Sequence, residues 1–302
     1  MPTIATNGIT LAYDTQGDPD GEPVLLIAGL GLQLISWPDA FCRGLTRQGF
    51  RVIRFDNRDC GLSSKMDQFG KPHLPAAFFQ SLFHLPLEGY TLYDMAKDAV
   101  GLLDGLGIAK AHIVGASMGG MIAQIIAATA PHRTLTLTSV MSTSGRPGLP
   151  GPTLAAHNAL FSSPENPRDF DSVVDYFVKM LRVIGSPGYP TPEAELRRRL
   201  AQSVRRNVCP SGSARQIMAV AASGDRVALL RTIKAPSLVI HGSDDPLVPI
   251  ACGRDTARWI PGAVMHEIDG MGHDFPPALD AMLAELIGAH CKGGTALRAQ
   301  RA

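Results

Sequence analysis

The sequence has no C-x-x-C pair, no excess of either charge and no long apolar run, and each absence removes a class of protein. Five cysteines, Cys42, Cys60, Cys209, Cys252 and Cys291, are scattered and odd in number. Neither a disulfide framework nor a zinc site is expected, and a reducing compartment fits better. Formal net charge is +1, so the field of the whole molecule gives no reason to expect nucleic acid or an acidic membrane as a partner. Arginines gather only locally, in Arg197-Arg198-Arg199 and Arg205-Arg206, and at helical spacing they read as a solvated face. No apolar segment approaches the length that spans a bilayer. Residues 1–14 lack the basic stretch followed by an apolar one that marks secretion, so a cytoplasmic protein is expected.

What is present is an ordinary soluble composition, 45% apolar and 18% charged over 302 residues. That length holds one large α/β domain, or a core with a small inserted domain. Two β-rich runs, 3–6 and 9–14, flank Asn7-Gly8, a strong hairpin signal. Short β-rich runs at 24–28, 51–56, 112–114, 135–141, 237–241 and 264–268 alternate with helical stretches such as 37–48 and 92–106. This alternation predicts βαβ units and a mostly parallel sheet, whose ligands bind at the carboxyl ends of the strands. At 145–152 a Gly/Pro-rich linker interrupts the pattern. From 153 to 223 only helical patterns follow, with starts expected at Asp169, at Thr191 with Pro192 in the first helical position, and at Ser213 with Gln216 in capping-box spacing. The predicted organisation is a core of 1–144 and 224–291, a helical cap at 145–223 and a frayed tail at 292–302.

Gly115-Ala116-Ser117-Met118-Gly119-Gly120 fits G-x-S-x-G, directly after a predicted strand and before a helical stretch. That context predicts a nucleophile on a strained strand-to-helix turn, with glycine where a side chain would strike neighbouring backbone. A serine hydroxyl needs an adjacent base. His273, in Gly270-Met271-Gly272-His273-Asp274, follows the last predicted strand. His266 lies within that strand, His241 reads as structural, and His112 falls at the wrong end of the sheet. His73, His84, His132, His157 and His290 lack any matching context. The base in turn needs a carboxylate on its other nitrogen. His241-Gly242-Ser243-Asp244-Asp245-Pro246 offers two, and the order Ser, Asp, His suits this chemistry. The position after the strand near Met141 holds Ser142-Thr143-Ser144 and no carboxylate.

These motifs, together with Ala28-Gly29 before Trp37 and Asp56-Asn57-Arg58-Asp59-Cys60-Gly61-Leu62-Ser63, resemble the α/β-hydrolase superfamily over nearly the whole chain. The stretches around Trp37-Pro38-Asp39 and 52–59 are similar to the aclacinomycin methylesterase group. Cofactor-free haloperoxidase or perhydrolase-like esterases have a similar oxyanion-loop spacing. The resemblance implies an eight-stranded, mostly parallel sheet flanked by helices, with an inserted helical cap. It selects Asp245, three residues after Gly242, as the acid. It places the oxyanion donors at the backbone N–H groups of Leu30 and Met118. The family's usual His-Gly is Ala28-Gly29 here, so the loop's support is expected to differ. Asp59 and Asp98 are given no catalytic role. A serine at the elbow counts against the aspartate-based dehalogenase and epoxide hydrolase chemistries.

The expected activity is hydrolysis of a small-molecule carboxylic ester through an acyl-enzyme, with no metal and no organic cofactor. The alternatives are a C–C hydrolase or perhydrolase with the same triad, and a ligand receptor on the same fold. A long connection, 65–90, carries Phe69, Phe78, Phe79 and Phe83. It reads either as a short amphipathic helix over the sheet edge or as an apolar wall of the substrate pocket formed by Phe78, Phe79 and Phe83. Neither the acyl and alcohol parts of the ester nor the oligomeric state is specified by any motif.

Overall fold

Asn7 and Gly8 both adopt positive φ, 47° and 74°, as a two-residue type I′ turn requires. They join β1 (Thr3–Thr6) to β2 (Ile9–Gln16) as an antiparallel hairpin with Thr6 opposite Ile9. The computed structural model describes residues 1–72 and 89–299. The chain continues through β3 (Glu22–Ile27), α1 (Asp39–Thr46), β4 (Phe50–Phe55), α2 (Leu92–Gly105), β5 (Ala111–Ala116), α3 (Met118–Thr129) and β6 (Thr134–Val140). The helices α4 (Leu154–Phe161), α5 (Phe170–Ile184), α6 (Glu193–Arg206) and α7 (Pro210–Ser223) follow. The chain then forms α8 (Val227–Leu230), β7 (Ser237–Gly242), α9 (Ile250–Trp259), β8 (Val264–Ile268) and α10 (Asp280–Ala299).

The eight strands form one sheet in the order β1-β2-β4-β3-β5-β6-β7-β8. Only the β1–β2 and β2–β4 pairs are antiparallel; the other five are parallel. β5 and β7, in the middle of the parallel part of the sheet, are buried along their whole length because helices cover both faces,. In β3, Leu25 and Ile27 pack into one core with α2 and α3, while Val24 and Leu26 pack into the other with α1 and α10. The two-residue period of a strand thus feeds two cores at once. α2 begins at a capping box, in which Thr91 and Asp94 each satisfy the other's backbone N–H,. α5 and α6 share a small core of their own, Val174, Val178 and Leu196 with Phe170, Leu181 and Leu200.

Three local expectations are corrected. Ser213 does not start a helix. α7 begins six residues before Gln216, at Pro210, whose missing N–H costs nothing in the first turn,. Ser213 Oγ bonds back to Cys209 O at 3.4 Å instead. Pro192 occupies the cap of α6 rather than its first turn, so Thr191 lies outside the helix. The expected tail at 292–302 is helical as far as Ala299. Cys291 and Gly294 are buried, and a Cβ at Gly294 would fall 2.2 Å from Thr136 Cγ2. Gly294 lets α10 lie close against β6.

Candidate active site

Ser117 leaves β5 with φ 55° and ψ −120°, a strained conformation for a non-glycine residue,. The turn is held by its surroundings. A Cβ at Gly115 would lie 2.0 Å from Gly119 O, and one at Gly119 would lie 2.0 Å from Ile27 O. No other residue fits at either position. Ser117 N–H donates to Val140 O at 2.9 Å, and Ser142 Oγ donates to Ser117 O at 2.8 Å. The serine is therefore fixed from β6 as well as from its own strand.

His273 follows β8, and its ring spans the other two groups. Nε2 lies 3.0 Å from Ser117 Oγ, and Nδ1 lies 2.7 Å from Asp245 Oδ2. Asp245, after β7, is buried, and its Oδ1 accepts the N–H groups of Leu247 and Val248 at 2.9 and 2.8 Å. Burial pushes the Asp245 carboxyl up. The charge of His273 and hydrogen bonds from His241, His273 and the Val248 N–H outweigh it, and the group is held well below the usual carboxylate range,. His241 is buried with Nε2 2.7 Å from Val248 O and 3.4 Å from Asp245 Oδ2. The Val248 carbonyl requires the proton on Nε2, which makes His241 a donor towards the acid. Such an arrangement can deliver a serine oxyanion equivalent while storing the proton on a charge-stabilised imidazolium.

Leu30 lies in the loop after β3 and Met118 in the first turn of α3. Neither backbone N–H donates to another protein group among the described residues. A Cβ on Gly29 would sit 3.2 Å from Ser117 Cβ, so the loop carrying Leu30 runs beside the serine. Phe78, Phe79 and Phe83 lie outside the described residues. Among those described, no group of three or more His, Cys, Asp or Glu is placed to hold a metal ion.

A family model for the alpha/beta hydrolase fold matches residues 22–276. The chain belongs to this family. Rhodomycin D methylesterase DnrP of Streptomyces peucetius is 32% identical, with 98% of this chain and 100% of that protein covered. Rhodomycin D methylesterase DauP of Streptomyces sp. (strain C5) matches at the same identity and coverage. These relatives bear out the resemblance read from the motifs. The crystal structure of the enol-lactonase from Burkholderia xenovorans LB400 superposes with a TM-score of 0.68 at 22% identity, covering 97% of this chain and 99% of that one. That last likeness is one of fold.

In this α/β-hydrolase both loops flanking the serine are fastened to the helices between β6 and β7. His273 N–H donates to Ile184 O at 2.7 Å, and Gly272 N–H to Ser186 Oγ at 2.9 Å. Asp274 Oδ1 accepts the Ser186 N–H at 3.0 Å and its hydroxyl as well. On the other side, Gln33 Nε2 donates to Ser203 O and Asn207 O, both at 2.7 Å. Arg206 bonds Gln33 Oε1 at 2.6 Å and pairs with buried Asp56 at 2.7 Å. The expectation of a solvated arginine face is corrected at this residue, which turns inward because Asp56 needs a countercharge. Asp59 has positive φ, 68°, and is held by Arg215 at 2.6 and 2.8 Å and by the Tyr90 hydroxyl at 2.8 Å. Sequence reasoning missed Ser186, Gln33, Arg206 and Arg215. Each is a common polar residue outside any motif, and no local period announces an inward turn.

Proposed function

We propose that this chain is a serine carboxylic ester hydrolase in which Ser117 is the nucleophile, His273 the base and Asp245 the acid. The observation that carries this reading is the unbroken chain of contacts from Ser117 Oγ through both nitrogens of His273 to Asp245 Oδ2, at 3.0 and 2.7 Å. Ser117 Oγ attacks the ester carbonyl carbon as its proton passes to His273 Nε2. The carbonyl π pair moves onto oxygen, where the N–H groups of Leu30 and Met118 receive it. Collapse of this intermediate expels the alcohol, which takes the proton from His273. A water then loses its proton to His273 and attacks the acyl carbon; the bond to Ser117 Oγ breaks, Ser117 takes the proton back from His273, and the acid is released. The kinship with two proteins named methylesterases supports an ester as the substrate.

Residues 145–223 act in this reading as a cap over a core of 1–144 and 224–291, supported by the separate small core of α5 and α6. The five cysteines are unpaired, which suits a reducing compartment such as the cytoplasm. Among the described residues, no helix is long and apolar enough to cross a membrane. A fluorophosphonate probe and a series of p-nitrophenyl esters of increasing acyl length test the proposal together. Labelling at Ser117 with turnover of at least one ester supports it. Absence of labelling in folded protein, or turnover unchanged in Ser117→Ala, overturns it.

A further inference from the structure

The loop that carries Leu30 is gripped from a helix far along the chain. Gln216, on α7, is fully buried, and both ends of its amide are used. Its Oε1 accepts the Gly31 N–H at 2.8 Å, and its Nε2 donates to Arg58 O at 2.8 Å. Gly31 has φ 66°, and a Cβ there would lie 2.8 Å from Ser213 Oγ, one turn earlier on the same helix. α7 is therefore pressed directly onto the loop. Beyond Gly31, Gln33 is tied to Ser203 and Asn207, and Leu34 N–H donates to Asp56 Oδ1 at 2.7 Å. Leu32 N–H closes the turn on Gly29 O at 3.2 Å. The bonds at Gly31, Gln33 and Leu34 all lie on the far side of Leu30 from β3, and the nearest of them to Leu30 is the one to Gln216.

We infer that Gln216 is a positioning residue for the oxyanion hole, holding the Leu30 N–H on the developing negative charge through the adjacent Gly31 amide. The inference rests on the donor role proposed above for Leu30. A donor contributes to catalysis only if it is already aimed when the charge forms, and an ångström of slack in such a group costs about a hundredfold in rate. Ala28 stands where the resemblance places a histidine; Asn57 Nδ2 donates to Ala28 O at 3.1 Å on the near side of Leu30, and on the far side the nearest anchor is the Gln216 amide. A neutral amide suits that place. It accepts from Gly31 while adding no negative charge near an oxyanion, and its second end fixes the rotamer against Arg58 O.

The test compares Gln216→Met, which keeps the volume without the amide, and Gln216→Asn, which keeps the amide one methylene short. Ala219→Gly, on the same helix, is a control for lost stability that leaves the loop untouched. The probe is hexyl trifluoromethyl ketone. Ser117 Oγ adds to its carbonyl carbon, the proton passes to His273, and the π pair becomes a hemiketal oxyanion in the same hole. In both Gln216 variants kcat on a p-nitrophenyl ester should fall about tenfold, with KM within about twofold. The ketone's inhibition constant should rise by the same factor as kcat falls, and the pH profile of kcat/KM should keep its shape. If Gln216→Met does not fold, the same criteria apply to Gln216→Asn. The inference is overturned if a folded variant keeps kcat and ketone affinity within about twofold of wild type, or if Ala219→Gly loses both equally. Failure of the wild-type protein to bind the ketone would sink the hydrolase reading itself, a result separate from any difference between variants.

Discussion

Asp244 and Asp245 are neighbours in the chain, yet only Asp245 reaches His273, with Oδ2 2.7 Å from Nδ1. Asp244 is exposed, and its carboxylate accepts the Gly270 N–H at 3.1 Å and the Ser243 hydroxyl. Asp245→Asn should lower kcat by about 10⁴, because an amide favours the wrong histidine tautomer and no longer stabilises imidazolium. Asp244→Asn should cost about tenfold or less, since it only loosens the turn that precedes His273. Saturation kinetics on both folded variants decide the matter, and a larger loss at Asp244 would transfer the role.

Ser117→Ala should reduce kcat on an aryl ester by about 10⁴ or more while leaving the fold in place. Alanine at φ 55° keeps the same backbone strain, so the melting temperature should change little. Retention of more than about a tenth of the turnover would remove Ser117 from the mechanism.

Asp280 should make the protein less stable as pH rises. It opens α10 almost fully buried, and its Oδ1 has no hydrogen-bond partner among the described residues. Burial raises its carboxyl from 3.8 to about 6, against the pull of Arg199 and Arg43 and with a push from Glu195. A folded-state value above the unfolded one means that folding favours the protonated acid. That contribution is complete below about pH 4 and is lost as pH rises through about 6. Asp280→Asn should therefore stabilise the protein by about 1–3 kcal/mol near pH 8 and by almost nothing near pH 4. Denaturant titrations at the two pH values measure the difference, and an equal effect at both would refute the linkage.

Arg215→Met should cost about 3–5 kcal/mol, because it strands the fully buried carboxylate of Asp59,. Burial pushes Asp59 up, and the bonds from Arg215, the Met66 N–H and Tyr90 bring it below its ordinary value. Such a depressed carboxyl stabilises the fold above its unfolded pKa and loses that contribution as pH falls. The penalty in the variant should accordingly shrink in acid. Adding Asp59→Asn should recover part of the loss, and strict additivity of the two substitutions would argue against the pair.

The parts of this protein legible in its sequence are those settled by neighbours in the chain. Asn7-Gly8 encodes the hairpin because both residues tolerate positive φ. The alternation of short apolar runs with helical stretches encodes a parallel sheet covered on both faces. Gly115 and Gly119 encode the serine turn because no side chain fits there. His273 is singled out by its place just after the last strand and Asp245 by family spacing from Gly242; neither shares a local pattern with Ser117. Only the folded chain decides what holds these groups. Gly31 and Gln216 are 185 residues apart, and nothing in either segment signals their bond. Ser213 has the spacing of a capping box and lies inside a helix, because Pro210 begins that helix sooner. The tail from 292 reads as frayed, yet α10 continues to Ala299, because Gly294 meets β6 at close range. In each case the outcome depends on which surface arrives from elsewhere in the chain. Whether a polar side chain is buried, and what satisfies it there, is a property of that meeting and of no shorter stretch of sequence.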